Sequence, residues 1–330
     1  MKILIVSGFL GAGKTTFIKE LIRRSGIRPV ILENEYGGNT IDSQELRSVE
    51  QNSQKIEVLE FMEGCVCCTL KDKFKNSVLT IFSGLNPEYL IVEPTGIGRL
   101  SNLIYNLQSI LHDNITLLKP IVVLSPQNFR QNMNQWHELY TDQVINAGTV
   151  VFSKCEQSDA TLLSQTAAEI RQINPNAEII QTHYSIRDDS WWRSLLKLPT
   201  ESLSVIAESD KSEIEFSQLT LNDAHLDNPA QLLLLLEDCL RGKLGTIVRA
   251  KGTLPVGNEV LRFDLADSLY AISGSTQKVN QCVFIGKDLK RDDLCCRMGS
   301  SLLENSSTHR KHFKLNSPRK VHLKKSSIRK

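Results

Sequence analysis

Over the first two hundred residues, short apolar runs alternate with amphipathic stretches. That is the rhythm of βα units built around a parallel sheet. Strands are predicted at Lys2–Ser7, Pro29–Glu33, Glu57–Phe61, Tyr89–Glu93, Thr116–Leu124, Thr149–Ser153 and Glu178–Gln181. They are rich in Ile, Val and Leu on both faces, as strands are when helices cover both sides of a sheet. Helices are predicted over Lys14–Arg24, Leu70–Leu85, Leu100–Leu111, Asn132–Val144 and Ala160–Ile173. Around Lys197–Lys211 the pattern loosens, with Pro199 and several serines, which places a linker at 201–212 after a first domain at 1–200. A second unit then reads as a strand near Glu213–Leu221, a helix at Pro229–Arg241, and strands near Gly245–Lys251, Val260–Leu265, Leu269–Ser273 and Gln281–Ile285. One helix with several strands suggests a small α+β domain over 213–299. Residues 300–330 are polar, Ser-rich and basic, with little to bury, and read as a disordered tail.

Length supports this division, since 330 residues suit two domains of ordinary size. With 41% apolar and 23% charged residues the chain reads as globular and able to bury a core. The net charge of +2 conceals an asymmetry. Nine Lys/Arg and no acid follow Asn305, so residues 1–304 carry 30 Lys/Arg against 37 Asp/Glu, a net of −7. No apolar run approaches the ~18 residues of a membrane helix, and glycines and Lys14 interrupt the N-terminal run before it reaches signal-peptide length. Of the eight cysteines, Cys65, Cys67 and Cys68 crowd together and Cys295-Cys296 are adjacent. Such crowding suits thiolate chemistry in a reducing, cytoplasmic setting better than paired disulfides.

Gly8-Phe9-Leu10-Gly11-Ala12-Gly13-Lys14-Thr15 fits G-x-x-x-x-G-K-[ST] at every fixed position, after a predicted strand and before a predicted helix. A Gly-rich turn that merely joins strand to helix is the plain alternative, and the complete pattern in that context argues against it. Backbone N–H groups of such a loop point inward at phosphate oxygens, and the helix N-terminus favours the same anion. Gly11, Ala12, Gly13, Lys14, Thr15 and Thr16 are therefore candidate nucleotide-binding residues. Lys14 would reach the β/γ-phosphates and the Thr15 hydroxyl would bind Mg²⁺. A second element is Ile91-Val92-Glu93-Pro94-Thr95-Gly96, an apolar strand ending in an acid and then a glycine. Glu93 could hold Mg²⁺ through water or position the attacking water, and the Gly96 N–H could sense a γ-phosphate. Acids also end strands for solubility, so the P-loop is what raises this reading. For the base, Ser153-Lys154-Cys155-Glu156 follows a strand and approximates N/T-K-x-D, with Ser for Asn and Glu for Asp. Ser153, Lys154 and Glu156 are candidate base contacts, and guanine is a plausible base.

Gly64-Cys65-Val66-Cys67-Cys68 places three thiols within four residues. As thiolates they are soft ligands for Zn²⁺ or Cu(I), one short of a closed tetrahedral site. An open site suits transfer of a metal. A redox-active pair and plain packing are the competing readings. Cys155, Cys239 and Cys282 are isolated and read as core, whereas Cys295-Cys296 lies in a charged stretch. Glu33–Asp42 leaves the second strand as a polar, Gly-containing loop, where a P-loop protein would keep a nucleotide-sensing switch. Solvent exposure competes with function for each of its acids.

Taken in order, G-F-L-G-A-G-K-T-T, E-N-E-Y-G, G-C-V-C-C, E-P-T-G and S-K-C-E resemble the CobW-like P-loop GTPases, a metallochaperone family, over essentially all of 1–300. Gly245–Gly252 also looks like that family's second domain. The resemblance implies a SIMIBI-type P-loop NTPase domain with a mostly parallel sheet, joined to a small α+β CobW C-terminal-like domain. It implies slow GTP hydrolysis with Mg²⁺, coupled to delivery of Zn²⁺ or Co²⁺ to a client metalloprotein or a cofactor-assembly enzyme such as one of a cobalamin-type pathway. It makes Glu33 and Cys67 metal-ligand candidates with Cys65 and Cys68 beside them, Asn34–Asp42 the first switch and Glu93–Gly96 the second. Three departures stand out: Gly38 where many relatives have an acid, Ser125 where many have Asp, and Glu156 where the base-reading Asp is usual. The alternative function is a nucleotide-gated assembly factor with a structural cysteine metal site. A membrane or nucleic-acid role for the tail is disfavoured, because Phe313 is its only aromatic residue. Homo-oligomer formation stays open.

Overall fold

The computed structural model describes residues 1–36, 50–51, 54–55, 57–63, 70–200, 216–276 and 280–299. The predicted linker, the tail, the cysteine cluster Cys65–Cys68 and most of the first switch lie outside them. Seven strands form the main sheet: β1 (Lys2–Ser7), β2 (Val30–Tyr36), β3 (Glu57–Glu63), β4 (Tyr89–Glu93), β5 (Ile121–Leu124), β6 (Thr149–Phe152) and β7 (Glu178–Ile180). Their order is β7-β6-β5-β1-β4-β2-β3, with a two-residue strand at Thr116–Leu117 also pairing with β1, and every pair is parallel. β1 shows why such strands lack polar alternation. Ile3 and Ile5 enter one core cluster while Leu4 and Val6 enter the other, and all four are fully buried.

Helices α1 (Lys14–Ser25), α2 (Leu70–Gly84), α3 (Leu100–Gln108), α4 (Phe129–Gln135), α5 (His137–Ile145), α6 (Ala160–Ile173) and α7 (Asp189–Ser194) accompany this sheet. α1 buries Phe17, Ile18, Leu21 and Ile22, the three- and four-residue spacing of one helical face. Phe17 meets Trp192 of α7 at a ring-centroid distance of 5.1 Å, so α7 is packed onto α1.

Two predicted elements are divided. The strand expected over Thr116–Leu124 breaks at Lys119-Pro120, where the Pro120 carbonyl instead accepts from the N–H groups of Gly148 and Thr149. Proline has no N–H for the ladder, which accounts for the break. The helix expected over Asn132–Val144 starts earlier and breaks at Trp136, whose ring is drawn against Phe9 at 6.3 Å and Phe216 at 4.9 Å.

A second, antiparallel sheet contains β8 (Ser217–Leu221), β9 (Thr246–Val256), β10 (Glu259–Ala266), β11 (Leu269–Gly274) and β12 (Gln281–Lys287), in the order β8-β12-β9-β10-β11. One of its faces carries Ala250, Leu254, Phe263, Leu265 and Phe284 into a core with α8 (Pro229–Leu240) and α9 (Arg291–Arg297). On its other face, Val283 and Ile285 join the core of the parallel sheet. α9 was not expected from sequence; it buries Leu294 and Cys295.

Candidate functional site: a phosphate-binding loop under the second sheet

The loop between β1 and α1 turns through left-handed conformations at Gly8, Gly11 and Gly13 and delivers Lys14 as the first residue of α1. The Lys14 ammonium is buried and donates to the carbonyls of Gly8 at 3.1 Å and Phe9 at 3.2 Å. The Thr15 hydroxyl donates to Glu93 Oε1 at 2.8 Å. Glu93 ends β4 and lies in register with Glu33 on β2, so adjacent parallel strands place two buried carboxylates on one face. Two acids held this close and away from water call for cations beside them. Lys14 lines the same cavity, and the hydroxyl and carboxylate oxygens are the hard donors that Mg²⁺ prefers. The donor set therefore fits Mg²⁺ at Thr15 and Glu93.

These groups open into a cavity of about 540 Å³, within the usual range for small-molecule sites. Gly11, Gly13, Lys14, Thr15, Thr16, Glu33, Glu93, Gly96 and Lys154 all line it. Gly96 packs closely on the P-loop: a Cβ there would lie 2.3 Å from the Leu10 nitrogen. Any side chain at position 96 would force the two loops apart.

Among the predicted base contacts, the structure assigns different partners. Ser153 is buried, and its hydroxyl donates to the carbonyl of Ala12 at 2.6 Å, tying the β6 loop to the P-loop. Lys154 adopts a left-handed backbone (φ 53°), and its ammonium pairs with Asp267 at 2.7 Å. Glu156 is outside the cavity lining, exposed, and 3.2 Å from His183 Nε2.

Sequence reasoning missed the contribution of the second sheet. The turn between β10 and β11 places both Asp267 and Ser268 at positive φ, as a two-residue type I′ hairpin requires. Its tip reaches Lys154 through Asp267, Gln131 through the Ser268 hydroxyl, and Gly11 through Ala266. Arg249, Lys251, Asp264, Leu269 and Tyr270 line the cavity as well. The nearest sequence signal was Gly245–Gly252, which pointed to a second domain and not to the nucleotide site.

Among the described residues, no three His, Cys, Asp or Glu side chains gather as a metal site. Cys155, Cys239, Cys282 and Cys295 are buried and Cys296 is exposed. Burial pushes the Cys239 thiol up to about 12 and raises that of Cys282 as well, which makes both poor thiolates. No described helix is long and apolar enough to cross a membrane.

Residues 2–181 match the CobW/HypB/UreG nucleotide-binding domain, more than half of the chain. The chain belongs to the CobW/HypB/UreG family. A zinc chaperone CobW from Pseudomonas aeruginosa is 27% identical over 198 residues, 52% of this chain and 53% of that protein. A zinc-regulated GTPase metalloprotein activator 1 from Schizosaccharomyces pombe is 27% identical over 235 residues, 68% of this chain and 54% of that protein. The match thus spans about half the length of each of these two relatives. The zinc chaperone YjiA of Escherichia coli is 22% identical over 322 residues, covering 88% of this chain and 96% of that protein.

Proposed function

We propose that the protein hydrolyses GTP and uses the nucleotide cycle to bind zinc and pass it to a client metalloprotein in the cytoplasm. The observation that carries this reading is the Thr15–Glu93 hydrogen bond with Glu33 in register beside Glu93, at the mouth of a complete P-loop. Lys14 and the loop N–H groups would hold the phosphates, and catalysis would come from positioning and charge stabilisation. Bound Mg²⁺ would neutralise charge on the β- and γ-phosphate oxygens.

The coupling to metal follows from topology. Glu33 faces the nucleotide cavity from β2, and β2 pairs residue by residue with β3 through Tyr36 and Glu63. The Cys65–Cys68 run follows β3 directly in sequence, and the proposed first switch continues from β2. Nucleotide contacts that shift β2 would therefore be felt at the end of β3, the strand that precedes the cysteines in sequence. Zinc is the favoured cargo, because the relatives named above are zinc chaperones and a zinc-regulated activator. Cobalt and a cobalamin-type client remain further readings of the same thiolate site. Full-length protein should hydrolyse GTP, and Lys14→Ala should lower GTP affinity and turnover at least about tenfold. Undiminished turnover in that variant would sink the P-loop reading.

A further inference from the structure

One side of α5 holds the turn that follows β4. Gln143 is 2% exposed, and its amide donates to the carbonyls of both Gly96 and Gly98 at 3.2 Å. One residue earlier, Asp142 accepts from the Ser101 N–H at 3.2 Å and from the Ser101 hydroxyl, a cap for α3 that the Arg99 side chain does not provide. One turn earlier still, Glu138 pairs with Arg99 at 2.9 Å. The same helix braces the P-loop. The Phe9 ring packs on Tyr140 at 5.5 Å and on Trp136 just before α5, and the Tyr140 hydroxyl accepts from the Asn132 amide at 3.2 Å. Within the turn, the Thr95 carbonyl accepts from the Gly98 N–H at 3.0 Å. A planar trans peptide then sends the Gly96 N–H the opposite way from that carbonyl. With the Gly96 carbonyl drawn to Gln143, both peptide planes beside Gly96 are set. Glycine has the widest backbone freedom of any residue, so these bonds are what fix them.

We propose that Gln143 is a positioning residue: by holding the Gly96 and Gly98 carbonyls toward α5, it keeps the Gly96 N–H turned to the γ-phosphate of bound GTP. The proposal rests on the GTPase reading above. In P-loop NTPases the Mg²⁺ at the P-loop threonine bridges β- and γ-phosphate oxygens. Here that threonine, Thr15, is bonded to Glu93, three residues before Gly96, and all three line one cavity. The turn is therefore the backbone next to the Mg²⁺ side of the site. A flip of the Thr95–Gly96 peptide would present a carbonyl oxygen in place of the N–H, and that oxygen repels phosphate. Holding the amide in place beforehand spares the ligand the loss of affinity that comes with a partly populated competent state. A misplacement of about 1 Å in a positioning group can cost about a hundredfold in turnover. The P-loop amides and α1 hold the inner phosphates by themselves, so the effect is confined to the triphosphate.

The test compares three variants with wild type in the full chain. Gln143→Met keeps the length and loses the amide, Gln143→Asn keeps the amide and shortens its reach, and Glu138→Gln loosens only the Arg99 pair on the same helix. The readouts are affinity for GDP, affinity for a non-hydrolysable GTP analogue, and single-turnover GTP hydrolysis. Gln143→Met should keep its GDP affinity within about twofold, bind the analogue about tenfold more weakly and slow turnover about tenfold to a hundredfold. Gln143→Asn should show the same split, and Glu138→Gln should leave all three readouts within about twofold of wild type. A merely structural clamp predicts equal loss for both nucleotides, or a lower Tm with the discrimination intact, and either result would overturn the inference while leaving the GTPase reading standing. The same split in Glu138→Gln would overturn it too. Melting curves report folding, and a measurement on wild type needs no variant: by NMR hydrogen exchange, the Gly96 amide should exchange at least about tenfold more slowly with the analogue than with GDP. Equal exchange in the two states would overturn the inference. Failure of the wild type to bind either nucleotide would overturn the GTPase reading with it.

Discussion

Gly11 occupies a position that the P-loop pattern leaves free, yet the structure demands glycine there for two separable reasons. Its φ is +76°, where a side chain costs about 1–2 kcal/mol. A Cβ would also lie 2.7 Å from the Ala266 Cβ, when carbon atoms prefer about 3.5–4.0 Å. The hairpin tip would have to retreat by roughly 1 Å, which carries Asp267 out of the 2.7 Å contact with Lys154. Such overpacking typically costs a further ~1–3 kcal/mol. Gly26 provides the control: its φ is also +76°, but nothing lies within 4 Å of an added Cβ. Gly11→Ala should therefore destabilise the protein by ~1–3 kcal/mol more than Gly26→Ala, several degrees in Tm at ~2–4 °C per kcal/mol. Ala266→Gly in the Gly11→Ala background should recover the excess, and a double-mutant cycle on thermal or urea unfolding measures it. Equal costs for the two glycines, or strict additivity in the cycle, would refute the claim that the hairpin is seated on the P-loop.

Two further outcomes follow from named contacts. Ser153→Ala removes a buried hydrogen bond to the Ala12 carbonyl, worth ~1 kcal/mol, and should weaken GDP binding about fivefold to tenfold in a fluorescent-nucleotide titration. Asp238 is held below the usual carboxylate range by Lys243 at 2.7 Å and Arg297 at 2.5 Å, a bridge that ties α8 to α9. A depressed carboxylate stabilises above its unfolded value near ~4 and loses that contribution as pH falls through its folded value. Asp238→Asn should therefore lower Tm at pH 7, and the gap to wild type should close as pH is taken below ~4.

The parts of the fold that were legible in sequence are those governed by local rules. β1, β4 and α6 fall at their expected limits, because an uninterrupted apolar run or an amphipathic stretch determines each. The P-loop was readable for the same reason, since its glycines, lysine and threonine act within eight residues. Where tertiary contacts override local preference, the reading failed. Trp136 breaks a plausible helix to reach Phe9 and Phe216, and nothing near it in sequence announces that pull. α7 is a six-residue helix whose justification is Trp192 packed on Phe17 and Tyr184. The site divides along the same line. Lys14, Thr15 and Glu93 carry motif signatures, whereas Lys251 and Asp267, more than two hundred residues beyond the P-loop, join the site through a sheet face and a hairpin tip. Strand alternation marks Lys251 as one face of β9, but only the assembled fold reveals what that face meets.

In the proposed cycle, nucleotide state controls metal affinity through β2, which carries Glu33, and its partner β3, which precedes the cysteine run in sequence. The direct measurement is a Zn²⁺ titration of the full chain loaded with GDP or with a non-hydrolysable GTP analogue, alongside Cys67→Ala, with Co²⁺ as a spectroscopic probe. The account predicts thiolate-to-cobalt charge transfer that Cys67→Ala abolishes, and a Zn²⁺ affinity that differs between nucleotide states by about fivefold or more. Equal affinity in both states would contradict it and leave the thiolates a structural metal site in a protein whose nucleotide gates something else.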